Sequence, residues 1–286
     1  PVNVAYEAAT ADLRDFNMVD PFHLQAYGAH AINYNRDVET FPVLKKILEK
    51  ITGTGAPYRS PTDMGVNRAG FGIVDDEAVR HAARQEFIRR YFRCAVEYVL
   101  GFVDKETVQR VEMLMHQLDI TIEDRTVVAA ARGAAQEAEK DNKGNRGVFS
   151  GAAIELADGT IMTGKNSPLM HATASLVFNA IKHLAEIPDK IHLLSPETIA
   201  SIARLKEGML HTTNVSLNLD EALIALSISA ATSPTAKLAM EKIPELRGCE
   251  VHTTHIPTPG DEVGLRRLGV NLTSDPNFSS KNLFIA

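Results

Sequence analysis

Val148-Phe-Ser-Gly-Ala-Ala-Ile-Glu-Leu-Ala-Asp-Gly-Thr-Ile-Met-Thr-Gly-Lys165 is the stretch on which the fold reading turns. Val148–Leu156 is rich in small and apolar residues with strand character, and Asp158-Gly159 is a turn pair that tolerates the left-handed backbone a hairpin needs. Thr160–Gly164 then reads as the returning strand. Downstream the period changes to that of a helix over Pro168–Ala185. A short apolar run, Lys190–Leu194, predicts a buried strand, and Ser195-Pro196 is a cap followed by proline at the first helical position. That helix ends near Gly208. Asn218 caps a further helix through Ala231, and Ser233-Pro234 starts another. Cys249–Ile256 is a Thr-rich strand, Asp261–Leu268 a short helix stopped by Gly269, and Val270–Thr273 a last strand. Strands and helices alternating after a hairpin predict an α/β fold: a mixed, mostly parallel sheet with covering helices over 148–286.

Upstream of the hairpin the apolar residues recur at helical spacing. Phe41–Ile51 and Asp76–Leu100 carry such stripes, the second stopped by Gly101. Asp104 caps Lys105–Leu118, and Thr121-Ile-Glu-Asp124 resembles a capping box opening an Ala-rich helix that runs to about Lys140. Asp141–Gly147 has no β-branched or aromatic side chain and is the expected boundary. The chain therefore divides into a mainly helical part, 1–145, with a glycine-containing polar loop at 60–77, and an α/β domain, 148–286.

Composition narrows the function. With 30 Lys+Arg against 36 Asp+Glu the net charge is −6, which argues against nucleic acid or an anionic membrane as the main partner. Thirteen of the 17 arginines lie before Val148. Arginine forks hold carboxylates and phosphates, so a site for a small anionic ligand is expected to draw on that part, unless these side chains only solvate helix faces. Two cysteines, Cys94 and Cys249, make no disulfide framework and no metal pair, as suits a reducing cytoplasm. No stretch approaches a membrane span.

The densest polar segment is Ser60-Pro-Thr-Asp-Met-Gly-Val-Asn-Arg-Ala-Gly-Phe-Gly-Ile-Val-Asp-Asp-Glu77. Its glycines let backbone N–H groups approach an anion, Arg68 can fork to it, and Asp63 and Asn67 can contact a ligand or a cation such as Mg²⁺. No Gly-Lys-Ser/Thr follows, so it is not a Walker loop. The other reading is an ordered connection whose acids suit the next helix start. Lys165-Asn-Ser167 lies before a helix N-terminus, where anions bind, or else Ser167 simply caps with Pro168 at the first position. His171 is a ligand contact or a structural helix-start histidine. His252 and His255 fall on opposite faces of one strand, so they do not share a metal. Asp20-Pro-Phe-His23 and Tyr34-Asn-Arg-Asp37 are further polar groups with turn chemistry. Leu223–Ala231 is small and apolar, a core or subunit-contact stretch, and a homo-oligomer is expected.

The 60–77 segment also carries a resemblance. Together with VNVAYEAATADLRDFNMVDPFHLQAYG (2–28), INYNRDVETFP (32–42), ELADGTIMTGK (155–165), IHLLSPE (191–197), ALIALSISA (222–230), AMEKIPELRGC (239–249) and LRRLGVNLTSDP (265–276), it resembles the bacterial family called domain of unknown function 1846. The resemblance implies a longer chain of which this is the carboxy-terminal part. It also implies a missing amino-terminal half with a phosphate-loop-like GPGSGK stretch, and Pro1 as a cut point. The element order is similar to the cytidine-deaminase-like fold. That zinc chemistry needs an acid/base Glu two residues after His and a Pro-Cys-x-x-Cys. Thr173 and Ala200 stand at those places, so the likeness implies no zinc.

Two readings of function stand. One is an enzyme or binding protein for a nucleotide-like or phosphorylated small molecule, using Asp63, Asn67 and Arg68 with Lys165, Ser167 and His171 facing them. The other is a non-catalytic scaffold or oligomerisation protein with a vestigial deaminase-like domain.

Overall fold

The computed structural model describes residues 50, 51, 53 and 76–279, with the side chains of 76–83 excepted. The polar loop with Asp63, Asn67 and Arg68, the Asp20–His23 and Tyr34–Asp37 groups, and nearly all of Phe41–Ile51 lie outside the described residues. The chain forms two compact units, Pro1–Arg125 and Thr126–Ala286, and the Asp141–Gly147 connection falls within the second.

In the first unit, α1 (Asp76–Val99) packs on α2 (Lys105–Gln117). The break between them is where Gly101 turns at φ 79°, and Asp104 accepts from the Thr107 amide at 2.8 Å to start α2. Apolar residues at helical spacing bury Phe87, Ile88, Phe92 and Ala95 on α1 and Val111, Leu114 and Met115 on α2. The Thr121 capping box forms as read, but it opens a single 3₁₀ turn, Ile122–Asp124, and the Ala-rich helix α3 (Thr126–Lys140) begins after it. Arg125, 1% exposed, donates to Gln85 Oε1, while Gln85 Nε2 donates to the Asp124 carbonyl at 2.8 Å.

The second unit is built on the hairpin. Strands β1 (Gly151–Glu155) and β2 (Ile161–Lys165) pair antiparallel around Gly159 at φ 83°, whose preceding Asp158 carboxylate accepts from the Thr160 amide. β3 (Glu250–Thr253) pairs antiparallel with the other edge of β1, and β4 (Asn271–Ser274) pairs parallel with β3, giving the order β2-β1-β3-β4. The sheet is mixed, as expected, but it is not mostly parallel: of its three pairings only β3–β4 is parallel. The reason is the run Lys190–Leu194, which forms no strand. Leu193 and Leu194 bury as a strand pair would, but inside a succession of turns, with the Ile191 amide bonded back to Pro188 and Lys182 Nζ donating to Asp189 O. Five apolar-rich residues satisfy burial without a ladder, an ambiguity inherent in so short a run.

Helices α4 (Ala172–Leu184) and α5 (Pro196–Arg204) follow, and α5 continues into a π turn at Leu205–Met209. α6 (Leu219–Ala230), α7 (Pro234–Met240) and α8 (Pro259–Leu268) complete eight α-helices among the described residues. Asn218, Ser233 and Gly269 punctuate them as read: the first two accept from amides of the first turn, and Gly269 ends α8 at φ 73°.

Strand alternation sorts the sheet into two covered faces. Ala152 and Ile154 of β1 join the main core with Leu176, Ile181, Leu219, Leu226 and Val251, on the side where α4 packs. Ala153 turns the other way, onto Val127 and Ala131 of α3. Both helices come so near that only glycine fits beneath them. A Cβ on Gly164 would lie 2.3 Å from the Leu176 amide and 2.4 Å from the Ala172 carbonyl oxygen, and one on Gly151 would lie 2.2 Å from the Ala131 carbonyl oxygen.

Because those obstructing atoms are backbone, Gly164→Ala should lower the free energy of unfolding by about 3 kcal/mol in urea titrations. Gly133→Ala, within α3 and with nothing near its added methyl, should instead raise it by about 1 kcal/mol. Equal effects at the two positions would refute the close-packed arrangement.

Candidate functional site

The register places one end of every strand along a single edge. Gly151 opposes Lys165, Ala152 opposes Thr253, and Thr253 neighbours Ser274. The carboxyl ends of β2, β3 and β4 therefore share this edge, where open α/β sheets usually carry ligands. From it leave the β2–α4 connection, the β3–α8 connection and the segment after β4.

The first two connections meet at Asp261. This residue sits in the first turn of α8, 3% exposed, and four donors converge on its carboxylate. His171 Nδ1 lies 2.6 Å from Oδ2, and Thr258 donates to the same oxygen at 2.6 Å. Thr173 donates to Oδ1 at 2.5 Å and the Leu219 amide at 2.9 Å. Burial alone pushes the Asp261 pKa up, but the hydrogen bond and charge of His171, with the Thr173 and Thr258 hydroxyls, outweigh it and hold the carboxyl below its ordinary range.

His171 is the N-cap of α4, and its ring does not fold back to bond the helix amides. The expected helix start at Ser167-Pro168 is not where α4 begins. The Ser167 hydroxyl instead accepts from the amides of Leu169 and Met170, both at 3.2 Å, making a turn. The chain then pairs with 216–218: the Leu217 amide donates to Leu169 O and the His171 amide to Leu217 O, both at 2.9 Å. This tertiary ladder overrides the local capping signal. On its far side the imidazole Nε2 meets Asn214 Nδ2 at 3.2 Å. Asn214 is held in turn by Ser216 and by Asn145, the latter from the Asp141–Gly147 connection.

Lys165 is not brought to this group. As the partner of Gly151 it points to the α3 face, where Nζ pairs with Glu137 at 2.6 Å. That face holds a second polar cluster. Arg132 of α3 grips Asp275 with Nε and Nη2 at 3.1 and 2.6 Å. His252, fully buried, places Nδ1 2.9 Å from Thr273 Oγ1 and Nε2 3.5 Å from Asp275. Burial raises the Asp275 pKa, but His252 and Arg132 together bring it below the ordinary value. Burial also pushes the nearby His255 imidazole down, against the Asp275 charge. His252 faces α3, whereas His255 lies beyond the end of β3, where the expected alternation does not reach, with Nδ1 3.1 Å from Thr254 Oγ1.

Of the six residues singled out in the sequence, His171 lies in the polar network around Asp261, Ser167 makes the turn before it, and Lys165 faces elsewhere. Asp261, Asn214, Ser216 and Asn145 were missed as site residues. Asp261 read only as a helix-start acid, and its separation of 90 residues from His171 leaves no local signal. Among the described residues no helix is long and apolar enough to cross a membrane.

Asp261 and Asp275 both have depressed folded-state pKa values, so the stability they contribute is full above the unfolded carboxylate range of about 4 and drains as pH falls through the folded values. Asp261→Asn should cost about 3 kcal/mol at pH 7 and flatten the acid limb of a stability–pH curve. If the Asp261→Asn variant proved as stable as wild type at pH 7, Asp261 would no longer stand at the centre of this arrangement.

Comparison with known proteins gives concordant results. Residues 1–119 match the family described as Domain of unknown function DUF1846, N-terminal, and residues 123–284 match its C-terminal counterpart. The likeness thus reaches both regions of the family, and the seam between the two matches falls beside the division at Arg125. The chain is 52% identical over 284 residues to a UPF0371 protein of Clostridium botulinum and 52% identical over 284 residues to one of Clostridioides difficile. In both cases 99% of this chain covers 56% of the relative, so it spans about half the length of the curated relatives it matches. With both parts of the family matched in order along its length, the chain belongs to the DUF1846 family.

Proposed function

We propose that this chain binds a small phosphorylated or nucleotide-like molecule, with His171 as the side chain that touches it. One observation carries the reading: a partly exposed imidazole, 18% accessible, is fixed on a buried carboxylate that accepts three further hydrogen bonds. The buried His252 is held beside a carboxylate too, but His171 keeps part of its ring accessible. A group that exchanges protons or hydrogen bonds with a ligand gains a defined orientation from such an anchor. The N-terminus of a 13-residue helix lies directly behind His171, its first residues buried and its positive end turned on Asp261. Ser167 shapes the preceding turn. Lys165 is the proposed contact with the least support, because its ammonium is engaged by Glu137. Asp63, Asn67 and Arg68 are proposed as cation and anion contacts of the first unit. The cytidine-deaminase-like topology is proposed for the second unit on the hairpin, the His171 N-cap and the Ser195-Pro196 helix start alone.

A scaffold role draws on a different observation. Ile224 and Ile228 of α6 are 63% and 67% exposed on one helix face, which fits a second copy of the chain. Sedimentation equilibrium showing only monomer at tens of micromolar would dispose of that alternative.

The ligand reading is tested by thermal shift of the 286-residue chain with AMP, ADP, ATP and inorganic phosphate, each with and without Mg²⁺. A ligand held at 100 times its dissociation constant adds about 2.7 kcal/mol, so at least one should raise the melting temperature by several degrees. His171→Asn, whose side-chain amide can stand in for Nδ1–H toward Asp261, should abolish the shift. No response of the wild-type chain to any of these compounds overturns the reading.

A further inference from the structure

We infer that His171 stands as the neutral tautomer with its proton on Nδ1, so that Nε2 is the proton acceptor of the proposed site, and that Asn214 is the positioning residue that holds it so. The inference deepens the ligand reading above, although its evidence is independent of any ligand.

A backbone N–H can only donate, and the Ser216 amide points at Asn214 Oδ1 from 3.2 Å. That end of the side-chain amide must therefore be its oxygen, and Ser216 Oγ at 2.7 Å and Asn145 Nδ2 at 3.1 Å then donate to it as well. Rotating the amide by half a turn would set its NH₂ against the Ser216 N–H. Its NH₂ end consequently faces His171 Nε2 at 3.2 Å, and an N–H donor needs a lone pair there. On the opposite side of the ring, Asp261 accepts from Thr258, Thr173 and the Leu219 amide, a donor set that suits the ionised carboxylate. The carboxylate then receives its fourth hydrogen bond from Nδ1. The only consistent assignment is Nδ1–H donating to Asp261 and a bare Nε2 receiving from Asn214.

This defines the ligand atom that suits the site. An ionised phosphate oxygen brings lone pairs against the lone pair of Nε2 and is unfavourable there. A hydroxyl, or a water held by the ligand, brings a proton. The contact with Asn214 is at the long end of hydrogen-bond range, so such a group can replace it. Its O–H proton then passes to Nε2 and the electron pair stays on oxygen. The resulting imidazolium keeps its Nδ1–H on the buried Asp261 carboxylate, which carries the opposite charge. A hydroxyl of the ligand belongs at His171.

The test is the long-range ¹H–¹⁵N spectrum of the ¹⁵N-histidine-labelled chain at neutral pH, without ligand. His171 is assigned by loss of its signals in His171→Gln or, should that variant not fold, by correlation to its backbone. A protonated Nδ1 with a bare Nε2 is expected, and a protonated Nε2 in the wild-type chain overturns the inference. Asn214→Asp keeps the shape but offers an acceptor, so the bare-nitrogen signal should be lost as Nε2 gains a proton; an unchanged signal overturns the role of Asn214. If Asn214→Asp does not fold, cross-relaxation between the Asn214 amide protons and the His171 ring in wild type decides the same point, its absence counting against Asn214. A failed thermal-shift screen would sink the ligand reading and leave these spectra as they are.

Discussion

A carboxylate removed from water is costly unless its oxygens are filled with donors, and Asp261 meets that demand by drawing on three helices at once. Thr173 lies in the first turn of α4, the Leu219 amide opens α6, and Asp261 itself lies with Thr258 at the start of α8. Three helix N-termini, each the positive end of its dipole, thus converge on one negative charge. Displacing any of them would leave a buried charge short of a donor. The same constraint fixes the imidazole of His171, which keeps a part-exposed face.

The sheet supports this arrangement because its two faces differ. Toward α4 the strands present Ala152, Ile154 and Val251 to a continuous apolar core. Toward α3 they present Gly151, Ala153, His252 and Thr273, small or polar, against an alanine-rich helix. Close approach leaves little room for large apolar side chains there, and the charge of Asp275 is met by Arg132 from α3 itself. The α3 face is a second, separately neutralised polar system, distinct from the Asp261 group although both arise at the same sheet edge.

The chemistry attributed to His171 depends on residues that no single element supplies. Asn145 comes from the loop before β1, Asn214 and Ser216 from the segment before α6, and Asp261 from α8. The ladder between 169–171 and 217 brings the second of these to the ring. A site of this kind needs the whole second unit in place before any of its parts has a function.

Local chemistry in the sequence settled much of the scaffold. The Asp158-Gly159 turn needs a left-handed residue, Asn218 and Ser233 offer oxygens to orphan amides, and Gly269 stops a helix; each acts within a few residues and was legible there. Whatever depended on which segments become neighbours was not. The run Lys190–Leu194 has strand composition but joins neither edge of the sheet, and Ser167-Pro168 has the form of a helix start but is followed by a ladder to Leu217. His171 could be noticed for its residue type, yet its anchor 90 residues away carries no mark beyond that of a helix-start acid. Capping and turn preferences are short-range energies written in adjacent residues. The partner of a buried charge is chosen by the packing of distant helices, and only the tertiary structure decides it.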